Sequence, residues 1–136
     1  MKQIPKIEKY MTAMPHTIGR SISMEKALEL MRTHQIRHLP VQEGGKLVGV
    51  LTDRDIKFAS SFATDGSLKV EDIMTPEPYT VKPQTPLDSV VLEMAEHKYG
   101  CAIIVQENGK VVGIFTAVDG LRVLSEVLVQ NYREAT

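Results

Sequence analysis

KIEKYMTAMPHTI, residues 6–18, returns as KVEDIMTPEPYTV at 69–81. Lys6, Glu8, Met11, Thr12, Pro15 and Thr17 recur 63 positions later as Lys69, Glu71, Met74, Thr75, Pro78 and Thr80. Downstream, GKLVGVLTDRDI at 45–56 is answered by GKVVGIFTAVDG at 109–120, now at an offset of 64. Ordered identities at a fixed spacing mark an internal repeat. The change of offset means that the second copy carries one extra residue, expected between helix and strand near Lys98 or Tyr99.

Each copy reads in the same coarse order. A short extended piece comes first, at His16–Ile18 and Tyr79–Lys82. A helix follows, with Met24, Ala27, Leu28 and Met31 on one stripe and Leu87, Val90, Val91 and Met94 on its counterpart. In the second copy Thr85 is expected to cap, with Pro86 at the first helical position and Asp88 closing a capping box. In the first, either Ser21 or Ser23 serves. Two strands joined by a tight turn come next, Leu39–Val41 to Leu47–Leu51 around Gly44-Gly45, and Ala102–Val105 to Lys110–Phe115 around Asn108-Gly109. Asn-Gly predicts a two-residue turn with positive φ at both positions. A last helix follows Thr52 and Thr116. One copy of about 60 residues has little core of its own, so two in tandem are expected to share one. The predicted fold class is α/β (α+β): two β-α-β-β-α units related by a pseudo-twofold axis and packed through their sheets. The units run 6–60 and 69–130, with 61–68 as the connection.

Composition excludes several functions. A formal net charge of -1 offers no field for a polyanion, so nucleic acid is not an expected partner. The lone Cys101 builds neither a disulfide nor a thiolate metal site. No run reaches the roughly 18 apolar residues of a membrane span, and MKQIPKIEKYM has no signal-peptide core. A cytoplasmic location away from membranes is expected. The motifs GxSxG, HExxH and GxxxxGK[ST] are absent, so no enzyme and no catalytic cofactor are expected. Among the four histidines, His34 and His97 hold matched helix-end positions, where imidazolium meets the helix dipole, and no metal site is expected.

The ordered set MT-x-x-P at Met11–Pro15 and Met74–Pro78, HLPV at 38–41, and GKLVGVLTDRDI with GKVVGIFTAVDG resembles a tandem pair of CBS domains, the Bateman module. The resemblance covers essentially the whole chain, which reads as a free-standing pair. It implies a regulatory module that binds an adenine nucleotide in the cleft between copies. The implied ligand is AMP, with ADP, ATP or an S-adenosyl compound as alternatives, and the signal passes to an unidentified regulated protein. It also implies a homodimer, for which the apolar stripe Leu121, Leu124, Val127 and Leu128 within 118–133 is the expected surface.

The resemblance implies that T-x-x-D carries the site, the aspartate accepting from ribose hydroxyls and the threonine helping to hold phosphate. Here that is Thr52 with Asp55 and Thr116 with Asp119. A strand-to-helix junction suits this chemistry, because helix amides attract phosphate and a carboxylate accepts from a vicinal diol. For the Asp119 cleft the expected base contacts are Thr80, Val81, Gly100, Cys101 and Ala102, with Arg37, His38 and Arg54 of the other copy on the phosphate. The second candidate cleft has Thr17, Ile18, Ile36, Thr52 and Asp55, again with Arg37 and His38. It is the more crowded, and it faces Ala117 and Val118 where the first faces Asp53 and Arg54. The competing reading makes T-x-x-D a helix cap in a structural or interaction domain that binds no ligand.

Overall fold

The computed structural model describes residues 2–63 and 66–133. Thr64 and Asp65, in the expected connection, lie outside the described residues. Among the described residues eight strands form two four-stranded sheets. The first holds β2 (Ile18–Gly19), β3 (His38–Glu43), β4 (Lys46–Thr52) and β5 (Thr75–Pro76) in that order. The second runs β1 (Thr12–Ala13), β8 (Val111–Thr116), β7 (Cys101–Val105), β6 (Thr80–Val81). Helices α1 (Met24–His34), α2 (Asp53–Ser60) and the one-turn α3 (Val70–Ile73) go with the first sheet, and α4 (Leu87–His97) and α5 (Ala117–Tyr132) with the second. This bears out the predicted pair of β-α-β-β-α units.

Local chemistry decides the helix ends. Ser23 caps α1, its hydroxyl accepting from the Lys26 amide at 3.2 Å. The capping box expected from Thr85 and Asp88 does not form. Pro86 itself takes the N-cap position, which leaves Thr85 one residue too early, and its hydroxyl accepts from the Lys82 amide instead. Asp88 accepts from Ser89. Leu87, Val90 and Met94 are buried as expected, but Val91 lies at the edge of the stripe and is 37% exposed. Both helices stop on a left-handed residue, Gln35 (φ 54°) and Lys98 (φ 59°), 63 positions apart.

These matched stops correct the position of the extra residue. Strands β3 and β7 also begin 63 apart, so nothing is inserted near Lys98 or Tyr99. The insertion is in the hairpin. In the first copy Glu43 pairs with Lys46 across Gly44-Gly45, whose φ values of 58° and 80° make a two-residue turn. In the second, Gln106 donates to the Lys110 carbonyl, enclosing three residues, Glu107–Gly109. Of these only Gly109 has positive φ, and Asn108 accepts from the Lys110 amide through its side chain. The expected two-residue Asn-Gly turn is therefore a three-residue loop.

The leading segment of each repeat crosses to the other. β1 pairs with β8, and β5 with β4. Ile7, fully buried, joins Leu87, Val90, Met94, Ala102, Ile104 and Phe115. Val70, fully buried, joins the first core beside Met24, Leu39 and Ile56. Backbone bonds seal both crossings: Ile7 donates to Thr85 and Val70 to Ile22, each at 2.8 Å. A methionine locks each one. A methyl group on Gly49 would lie 2.6 Å from Met74 Sδ, and one on Gly113 would lie 2.9 Å from Met11 Cγ. The Met-Thr and Val-Gly elements of the repeat are thus two halves of one contact between copies.

The sheets meet through Val50 of β4 against Cys101, Ile103, Val105, Val111 and Ile114. α5 buries no residue of its own: Leu121, Leu124 and Leu128 are 66%, 51% and 46% exposed.

Candidate functional site

Both T-x-x-D elements form complete capping boxes. The Asp55 amide donates to Thr52 Oγ1 at 3.1 Å, and the Thr52 amide to Asp55 Oδ2 at 3.0 Å. The Asp119 amide donates to Thr116 Oγ1 at 3.3 Å, and the Thr116 amide to Asp119 Oδ2 at 2.8 Å. Thr116 Oγ1 also donates to Asp119 Oδ2 at 3.0 Å. Each aspartate fixes one oxygen in the cap and keeps Oδ1 for other donors. Arg122 approaches that of Asp119 at 3.4 Å; that of Asp55 has no partner among the described residues.

The second copy assembles its expected residues along adjacent strands. Cys101 pairs with Thr116, and Thr80 with Ile103. The first amide of α5, on Ala117, donates to the Gly100 carbonyl at 3.0 Å. Thr80 and Gly100 are exposed and Val81 is half-buried. Ala102 is fully buried in the core under α4. Cys101 lies between the sheets, where burial pushes its thiol up to about 11 and keeps it protonated.

The first copy repeats the pattern: Asp53 donates to the Arg37 carbonyl at 3.0 Å, and His38 pairs with Thr52. Ile18 is buried, and Ile36 packs against the first core. Thr17 is half-buried. Arg37 and Arg54 are exposed and form no ion pair among the described residues. His38 crosses between copies, for a methyl group on Gly100 would lie 3.3 Å from its Nε2. Burial lowers the imidazole pKa and Arg37 adds to this, while Asp53, Asp119 and Asp55 pull it up. Three surface grooves of about 480, 450 and 410 Å³ lie elsewhere, and neither Asp55 nor Asp119 lines any of them.

Sequence reasoning passed over a ring stack beside each candidate cleft. Tyr79 stacks on Tyr99 at 5.0 Å, and Tyr99 on His97 at 5.2 Å. Tyr79 and Tyr99 directly precede Thr80 and Gly100. His16 and His34, the repeat equivalents of Tyr79 and His97, stack at 3.8 Å. The signal was present as aromatic or imidazole residues at matched positions of both copies.

Among the described residues no helix is long and apolar enough to cross a membrane. The CBS domain model matches residues 7–61 and 70–126. Inosine-5'-monophosphate dehydrogenase of Korarchaeum cryptofilum is 39% identical over 118 residues, which are 87% of this chain and 24% of that protein. The chain thus spans about a quarter of that relative's length. Among solved structures, the CBS domain pair of protein MJ0100, in complex with 5'-methylthioadenosine and S-adenosyl-L-methionine, aligns with a TM-score of 0.81 at 30% identity, covering 92% of this chain and 99% of that one. CBSX2 of Arabidopsis thaliana, in complex with AMP, aligns with a TM-score of 0.77 at 28% identity, covering 90% and 97%. With both repeats matched over most of the chain, it belongs to the CBS domain family as a tandem CBS pair.

Proposed function

We propose that this CBS pair senses an adenine nucleotide, AMP or a close relative, in the cleft of Asp119, and passes the occupancy of that cleft to a partner protein. The observation that carries the reading is the division of labour on Asp119: one carboxylate oxygen is fixed by the Thr116 cap, so the other is held still for a ribose diol. Gly100 beside it carries no side chain of its own, His38 reaches it from the other copy, and Arg37 and Arg54 of that copy are exposed cationic groups. Adenosyl ligands in MJ0100 and CBSX2 support the choice of ligand class. The Asp55 cleft is the secondary candidate. Titration calorimetry with AMP, ATP and S-adenosyl-L-methionine tests this. Asp119→Ala is expected to weaken binding at least about tenfold, since hydrogen bonds to a charged group contribute about 1.5–3 kcal/mol. It also loses its cap, at a cost of about 1 kcal/mol, so a melting curve accompanies each titration. Unchanged affinity would move the ligand away from Asp119.

A second reading rests on the same boxes. Both are satisfied without a ligand, as they would be in a CBS pair that serves only to hold other proteins. No heat with any adenosyl compound favours it.

The uncovered face of α5 fits a homodimer under either reading. Val118, Leu121, Leu124, Val127 and Leu128 are all exposed along one helix, an apolar surface that soluble monomers seldom leave to water. Leu124→Asp is expected to turn a dimer into a monomer in light scattering, with the melting curve of the chain little changed. A wild-type chain that is monomeric at high concentration would overturn the assignment.

A further inference from the structure

We infer that Met11 is a modification site for hydroperoxides, and that its oxidation to the sulfoxide unfastens the crossing of the first repeat onto the second. This holds whether or not the clefts take a nucleotide. Met11 leads into β1, the strand that pairs with β8, and its half-buried side chain packs against the second core. Its Sδ stands over Gly113 in the space that a Cβ would fill, with Cγ and Cε 2.9 and 3.2 Å from that point. In the oxidation a lone pair on sulfur attacks one peroxide oxygen. The S–O bond forms, the O–O bond breaks, sulfur gives up two electrons, and the other oxygen leaves as water or, from an organic hydroperoxide, as the alcohol.

The product is polar and chiral where the thioether was apolar and flexible. Gly113 offers it no side-chain donor, and the backbone there lies in the ladder between Ala13 and Ile104. The new oxygen finds its hydrogen bonds in water, so it turns outward and draws the sulfur off Gly113. Met74 plugs Gly49 in the same way, but the two seams are not fastened alike. Beside Met74, Arg20 donates to Glu71 at 2.8 Å and to Glu43 at 2.7 Å, tying α3 to the first hairpin. In the other seam Pro83 stands at the position of Arg20, and Glu8, the equivalent of Glu71, has no ion pair among the described residues. Met11 therefore lies in the seam that opens more readily, and is the first of the two to react.

The test is treatment of the whole folded chain with hydrogen peroxide, followed by peptide mass mapping, melting curves and hydrogen exchange. Met14, 73% exposed, is expected to oxidise first and to leave the melt within about 1 °C. Met11 should follow, roughly threefold ahead of Met74, with Met24, Met31 and Met94 unmodified in the buried core. Its oxidation should lower the melting temperature by about 5 °C and reduce exchange protection in β1 and β8 before β4 and β5. Arg20→Gln should bring Met74 level with Met11. Met11→Leu should melt close to wild type and lose the peroxide-induced shift. Reduction of the oxidised wild type by methionine sulfoxide reductases should restore its melt, which keeps the test decisive where the leucine variant does not fold. Met11 as inert as the buried methionines would overturn the site. Met11 sulfoxide formed in full with no change in the melt or in β8 protection would overturn its effect on the crossing.

Discussion

Ile7→Ala is expected to lower the stability of the chain by about 3 kcal/mol, or roughly 10 °C in melting temperature, and to loosen the second repeat although Ile7 belongs to the first. Its side chain is fully buried among Leu87, Val90, Met94, Ala102, Ile104 and Phe115, all from the second copy. Truncation removes three carbons from that core and leaves a cavity that α4 and β7 close only in part. Residues 5–8 are bonded to residues 83–87, from Ile7 to Thr85, Glu8 to Pro83 and Leu87 to Pro5, so the segment has little freedom to sink into the gap. Hydrogen exchange distinguishes this from a local effect. Protection should fall in β7, β8 and α4 ahead of β3, β4 and α1. Equal loss in both sheets, or loss confined to residues 5–10, would contradict the crossing. Ile4→Ala, at a side chain 53% exposed, should leave the melt within about 1 °C.

The repeat itself was legible because its identities are dense and ordered. The capping boxes were legible because T-x-x-D is a local pattern whose partners lie three residues apart. What failed was local evidence read in the wrong frame. The shared V-Q-E-x-G-K string at 41–46 and 105–110 aligns the hairpins at offset 64, which pushes the insertion back toward Lys98. Backbone pairing instead sets Gln42 with Leu47 and Val105 with Val111, and each hairpin has a bulge just before that pair, so the matching letters occupy non-equivalent places. Thr85 looked like a cap because Pro86 suits the first helical position and Asp88 stands three residues on; the fixed φ of Pro86 suits the N-cap residue just as well. The ring of His38 against Gly100 joins positions 62 residues apart, as Met11 on Gly113 joins positions 102 apart. Neither pairing has a spacing rule to announce it. The bare face of α5 was readable as excess hydrophobicity, but the same leucines would have suited a helix lying on its own sheet.

Gly49→Ala is expected to cost about 2–3 kcal/mol, because the added methyl meets atoms that cannot all retreat. It would lie 2.6 Å from Met74 Sδ and 3.1 Å from Met74 Cγ, which a thioether can relieve by changing rotamer. It would also lie 2.9 Å from the Thr75 carbonyl oxygen, and that oxygen belongs to β5, the strand that pairs with β4 at Gly49–Pro76 and Val50–Thr75. Relief there means prising β5 off the sheet, and with it the crossing segment that carries Val70 into the first core. Gly113→Ala makes an instructive contrast: its three nearest contacts are all atoms of the Met11 side chain. Met11→Ala should therefore recover most of the loss at Gly113, whereas Met74→Ala should recover little at Gly49. Thermal melts of the two double-mutant cycles measure this, with a coupling of about 1–2 kcal/mol expected for the Gly113 pair and less for Gly49. Equal rescue at both sites would mean that the Thr75 carbonyl yields as easily as a methionine side chain, and that β5 is held by its neighbours rather than by its pairing with β4.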